Sequence, residues 1–293
     1  MQAATSLLIP VAVVFLMWIV GLQLTPADFR RVAQYPRTAA VGTAGQLIVL
    51  PLIAGAAILT FRPAETVVAG MVLIAAAPGA PISNLLVYLA RGNIALSVTL
   101  TAITNTIGIL TFPLLTVAGF RLYLLEGPGT GVPVGTMIQQ LLLLMLLPIA
   151  LGMIARAWRP KFVELHRVSL KRASLLVVAG VVAFIVYDQR ATFTVNLGSA
   201  AYISALFTIG AMAIGYAAGW LLGAPPPDRI ALLIEFPARN TAIAIVVAAT
   251  TLRRLDYAVF IVAYFAVEMA IMLGVVALLV AGREKKLARA SNP

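Results

Sequence analysis

Charged and amide side chains interrupt otherwise apolar sequence at a few positions, and these are where chemistry can be done. Glu235 and Arg239 flank Pro237 in "LLIEFPARNTAIAIVV" (residues 232–247), with Asn240 next to them. Glu268 interrupts "VAYFAVEMAIML" (262–273), and Ser83 and Asn84 close "AAAPGAPISN" (75–84) behind Pro78, Gly79 and Pro81. A charged side chain at the centre of a bilayer costs at least about 2.5–3.5 kcal/mol, so such groups pair, line a cavity or mark an ion or substrate path. A packed kink explains the prolines but not the polar residues beside them.

The elements that carry these residues belong to a membrane. Of 293 residues, 62% are hydrophobic and 11% charged, against about 45–50% and about 25% in soluble domains. The apolar runs leave no room for a separate soluble domain. The net charge of +11 lies mostly in short gaps between those runs, as topology signals do, and not on a nucleic-acid-binding face. There is no cysteine, hence no disulfide or thiolate site. The single histidine, His166, reads as a solvated loop residue in the most basic gap. The N-terminal run lacks a positive n-region and is too long for a cleaved signal, so it reads as a retained first helix.

At 1.5 Å per residue, about 20 residues cross the hydrocarbon. Nine runs qualify: Ser6–Leu24, Thr38–Thr60, Thr66–Ala90, Ile94–Phe120, Pro133–Trp158, Ala173–Tyr187, Ser199–Leu222, Ile230–Leu252 and Ala258–Ala281. Fifteen of the 21 basic residues fall in alternate gaps starting at residues 25–37, and five in the others. By the positive-inside rule the N-terminus is outside and the C-terminus cytoplasmic, in a multi-pass plasma (inner) membrane protein. Residues 1–293 read as one membrane domain, ending in a basic cytoplasmic tail at 283–293.

Two runs are broken. Proline removes a backbone donor and pushes the residue before it out of the helical region. The third and eighth runs should therefore unwind near mid-membrane, where loose backbone is tolerated only inside protein or against a watery cavity. Each follows a long apolar run and a short gap with proline and charge, and each break ends in Asn. They cross the bilayer in opposite senses, which marks inverted repeats of roughly 1–125 and 133–282. Paired interrupted helices of this kind point to a transporter binding site.

At these residues the chain resembles the bile acid:sodium symporter family. "GLQLTPADF" (21–29) is similar to the family's first shared motif, and "APGAPISNLLVYLARGNIALSVTLT" (77–101) is a close match. "EFPARN" keeps only Glu235 and Asn240 of the family's Glu-x-Gly-x-Gln-Asn. Bacterial members often have ten helices. This chain starts where the family's second helix begins, which fits nine.

The resemblance implies an all-α fold of panel and core domains whose two broken helices cross in the core, and the transport of organic anions with sodium. It implies one sodium site from Ser83, Asn84, Ser97, Thr101 and Glu235. Ser97 and Thr101 are four apart, on one helix face. That pair alone would read as packing between helices. A second family site keeps Gln46 but has Arg239 where the family has glutamine. A guanidinium presents only donors and is always charged. It cannot ligate sodium, but it can stand in for the ion's charge and neutralise Glu235 or a bound anion. The substrate side is expected at Pro81, Arg239, Asn240, Glu268 and Ala270, with Glu268 either paired to Arg239 or carrying a proton. Helix N-termini at the breaks would offer donors to a carboxylate.

The expected function is alternating-access, secondary active transport of a small or amphipathic organic anion, coupled to Na+ at one site. The rival is a sodium-independent organic-anion efflux carrier of the same fold, proton-coupled or facilitative. An intramembrane enzyme would need an aspartate pair, a Ser/His pair or a metal cluster, and none of the nine runs contains an aspartate or a histidine. The chain therefore reads as a non-enzyme.

Overall fold

The computed structural model describes residues 2–25, 36–124 and 133–290, and every regular element among them is helical. In chain order these are α1 (Gln2–Gly21), α2 (Pro36–Phe61), α3 (Glu65–Ala76), α4 (Ile82–Leu89), α5 (Ile94–Tyr123) and α6 (Val134–Trp158). They continue as α7 (Pro160–Asp188), α8 (Arg190–Leu221), α9 (Pro226–Glu235), α10 (Thr241–Val246, prolonged by a π-turn to Thr251) and α11 (Ala258–Ala290). Six stretches, in α2, α5, α6, α7, α8 and α11, are long and apolar enough to cross a membrane.

Proline shapes several of these helices. In α2 and α6 a π-turn (Gly45–Val49, Leu142–Leu146) immediately precedes Pro51 and Pro148. The wider turn accommodates the donor that proline lacks. In α9, Pro226 and Pro227 open the helix, where the missing N–H has no intrahelical partner to lose.

The helices pack in two groups. α1 lies against α6 and α7. Its contact with α6 is a close backbone approach, since a Cβ on Gly21 would strike the Ile149 carbonyl and one on Gly152 the Trp18 carbonyl. The second group is built on α8, which packs on α9 and α11, and on α3, which packs on α5 and α11.

Within the second group the chain leaves helix at 77–81 and again at 236–240. The two unwound segments meet as an antiparallel bridge between Gly79 and Arg239. Ala80 N donates to Ala238 O at 3.0 Å, and Asn240 N to Pro78 O at 2.8 Å. Each segment thus supplies hydrogen-bond partners that the other loses by unwinding.

The ends of the broken helices are tied crosswise. After α4, Arg91 turns the chain at φ 54°, and Asn93 Nδ2 donates to Asp228 Oδ1 in the first turn of α9 at 2.8 Å. After α10, Arg253 turns it at φ 53°, and Arg254 Nη2 donates to Glu65 Oε1 in the first turn of α3 at 3.2 Å. The first tie is buried at one end, with Asp228 5% exposed and Asn93 half-buried. In the second the Arg254 and Glu65 side chains are 44% and 60% exposed.

Several boundaries differ from the sequence expectation. The basic gap before residue 173 is not a loop: α7 begins at Pro160, because nothing breaks the helix between there and Asp188. His166 is therefore helical, its Nδ1 2.9 Å from Phe162 O and its ring 4.1 Å from that of Phe162. α8 starts at Arg190, nine residues before the expected span. α11 runs on to Ala290, so the described part of the basic tail continues the helix. Residues 26–29 of the first shared motif lie outside the described residues.

Candidate ion and substrate site at the helix crossing

Glu235 is the last residue of α9 and has no exposure. Three hydroxyls from the other broken helix and from α5 converge on its carboxylate. Ser83 Oγ donates to Oε1 at 2.5 Å, Ser97 Oγ also donates to Oε1, and Thr101 Oγ1 lies 3.2 Å from Oε2. Asn84 reaches the cluster through its Oδ1, which lies 2.7 Å from Ser97 Oγ and competes with Glu235 for that single O–H. The fold thus brings together all five residues of the expected first site. The donors are all oxygen and the set carries one formal negative charge, which suits a hard monovalent cation and offers nothing to a soft metal.

The α5 stripe extends further than the sequence reading took it. Thr104 Oγ1 accepts from Gly79 N at 3.2 Å, and Asn105 Nδ2 donates to Gly79 O at 3.1 Å. Tyr264 on α11 donates to Pro237 O at 2.5 Å. These three residues hold the unwound backbone in place. Their signal lay in spacing: Asn105 continues the four-residue step of Ser97 and Thr101, and Tyr264 stands four before Glu268.

Arg239 is 1% exposed, and its guanidinium is directed at neutral oxygens. Nη1 donates to Gln46 Oε1 at 2.8 Å, and Nη2 donates to Ala77 O. Among the described residues no carboxylate lies within ion-pair distance of it. The expected pairing with Glu235 or Glu268 is thus absent. Glu235 is already surrounded by hydroxyls, and the arginine stem leads its head towards α2 and the first break. Gln46 is delivered by the π-turn of α2. Gly45 beside it lets that turn approach α9, since a Cβ there would sit 2.5 Å from Phe236 Cζ.

Glu268, 2% exposed, lies within electrostatic reach of Arg239 without forming an ion pair with it, and its Oε1 has no hydrogen-bond partner. Asn240 caps α10 by accepting from Ile243 N at 3.3 Å. Pro81 stands at the N-terminal edge of α4. Ala270 is on the exposed face of α11, two residues and so about 200° round from Glu268, and the fold does not bring it to the crossing. Buried atoms without partners gather here: Gln46 Nε2, Arg239 Nε, Asn240 Nδ2 and Glu268 Oε1. Beside the crossing a partly open cavity of about 480 Å³ separates the two helix groups. Val13 and Leu16 of α1, Val181 of α7, Thr241 of α10 and Phe265 of α11 are among its lining.

Known proteins share this sequence pattern. A Bacillus subtilis protein described as an uncharacterized sodium-dependent transporter, YocS, is 29% identical over 78% of this chain and 69% of its own length. The probable sodium/metabolite cotransporter BASS2, chloroplastic, of Oryza sativa subsp. japonica is 34% identical over 51% of this chain and 34% of its own length. Mouse P3 protein is 26% identical over 81% of this chain and 50% of its own length. The chain thus spans a third to about two thirds of these relatives. A model of the Sodium Bile acid symporter family matches residues 10–196, which is more than half of the chain, and the chain belongs to that family.

Proposed function

We propose that this chain is a secondary active transporter that couples one sodium ion to the movement of a small or amphipathic organic anion. The observation that carries the reading is the convergence of Ser83, Ser97 and Thr101 on the buried Glu235 carboxylate, with Asn84 behind Ser97. Sodium, as co-substrate, would be held among these oxygens. They come from α4, α5 and α9, so the ion would draw both broken helices together. That ordering would present Asn240 and the start of α10 to the anion at the cavity.

Nine spans, an outside N-terminus and a cytoplasmic C-terminus in a plasma membrane are the topology that the charge bias supports. In that topology α1, α6 and α7 form the panel and the remaining helices the core. Alternating access is rocking of one against the other, with the apolar cavity at their junction. Its apolar walls suit a ligand that carries an apolar body as well as a carboxylate. Arg239 takes the acceptors Gln46 Oε1 and Ala77 O, which supports one sodium site and not two. Nothing in the arrangement favours enzymatic chemistry.

The sodium-independent reading rests on one observation, the buried Glu268 with an unpartnered oxygen. Thermal melting of the full chain in sodium and in choline separates the two. A ligand of the folded state at a hundred times its Kd adds about 2.7 kcal/mol. Sodium should raise the melting temperature of the wild type and leave that of Glu235→Gln unchanged. Equal melting of the wild type in both salts refutes sodium coupling.

A further inference from the structure

Glu268 is the buried acid that the sodium reading leaves without a task. It is 2% exposed, it lies within electrostatic reach of Arg239, and its Oε1 has no partner. Among the described residues no lysine or arginine side chain pairs with it. Of the elements packed on α11, only the second break turns a charged group towards it, namely Arg239; on its own helix, Tyr264 is the titratable neighbour. Glu268 is also one turn beyond Phe265, which lines the cavity, so its helix face leads to the space between the two helix groups.

Charge counting points the same way. The crossing buries two carboxylates, Glu235 and Glu268, against one guanidinium, Arg239. Arg239 cannot leave, being bound to Gln46 and to Ala77 O. Sodium at Glu235 brings the sum to zero. A monoanionic substrate would then make it −1 in a site withdrawn from water, where an isolated ionised carboxylate is heavily penalised. One proton on Glu268 sets the core at +1 before the substrate arrives and at zero once it is bound.

We propose that Glu268 is the second cation site of this carrier and that its cation is a proton, taken up and released through the cavity. The inference rests on the sodium reading for the charge at Glu235. The step is protonation of a carboxylate oxygen and its reversal on the opposite side of the membrane, with no other bond changed. The carrier then moves one sodium and one proton with each monoanion.

The test is infrared spectroscopy of the reconstituted full-length protein at neutral pH in saturating sodium, with no organic ligand. The wild type should show a protonated-carboxyl C=O band that shifts when the bath is exchanged for D2O. Glu268→Gln should lose the band, Glu268→Asp should retain one, and Glu235→Gln should leave it in place. A wild type without the band, a band that survives Glu268→Gln, or a band that ignores D2O overturns the proposal. Melting in sodium against choline, run on the same samples, separates the two readings. A proton band without a sodium shift sinks sodium coupling alone, and a sodium shift without the band sinks the proton site alone.

Discussion

Replacing Arg239 distinguishes a built-in cation from a substrate-binding group. Arg239→Ala removes the donors to Gln46 Oε1 and Ala77 O, both buried in the crossing. Hydrogen bonds to charged groups contribute about 1.5–3 kcal/mol each, so the loss is roughly 3–6 kcal/mol. Marginal stability of about 5–15 kcal/mol makes that a large fall. Arg239→Gln keeps an amide donor and removes the fixed charge. If the guanidinium stands in for a cation, this variant should recover stability in sodium, and melting against sodium concentration should turn cooperative, with a Hill coefficient rising above one. Arg239→Lys keeps the charge but not the planar fork, and should hold one of the two acceptors with no new sodium dependence. The assay is melting in sodium and choline at constant ionic strength. An alanine-like response of Arg239→Gln, meaning instability in both salts and no gain in cooperativity, refutes the charge argument.

Ser97→Ala removes the hydroxyl that lies between Glu235 and Asn84 and should abolish most of the sodium-induced rise in melting temperature while leaving the choline value within about 1–3 kcal/mol. Gly45→Ala places a methyl against Phe236 and should destabilise by about 1–3 kcal/mol in either salt, which a sodium-independent fall in melting temperature would register. The crosswise ties should differ in weight. Asp228→Ala strands the half-buried Asn93 amide and should cost about 1.5–3 kcal/mol at any ionic strength. Glu65→Gln breaks the exposed ion pair while leaving an acceptor for the Tyr257 hydroxyl, and should cost no more than about 1 kcal/mol, vanishing at high salt.

The breaks were legible because proline and glycine act locally: Pro78, Gly79 and Pro81, and Pro237, set where α3 and α9 stop. The first cluster was legible through the resemblance, since its residues sit in one near-continuous motif plus Glu235. The resemblance put Gln46 and Arg239 in one site although they lie 193 residues apart, but the other partner of Arg239 was not legible, because Ala77 contributes a main-chain carbonyl, which no side-chain pattern announces. The long α7 and α8 were missed for the opposite reason. Their polar turns read as gaps by hydropathy, yet hold no helix breaker. Ala270 was placed by analogy along the chain, and the 100° step of the helix sends it to the far face from Glu268.

The crossing also sets a timetable for making the protein. The polar backbone of residues 77–80 finds its partners at residues 238–240, about 160 residues later in the chain. At roughly 5–20 residues per second, the first broken helix waits on the order of 10–30 s for the second to be synthesised. Throughout that interval Pro78 O lacks the Asn240 amide, Glu65 lacks Arg254 and Asn93 lacks Asp228. The first broken helix therefore cannot settle in hydrocarbon by itself. It must be kept wet, or sheltered by the insertion machinery, until the second broken helix is threaded past it, and slowing translation between residues 124 and 226 should lower the yield of folded protein.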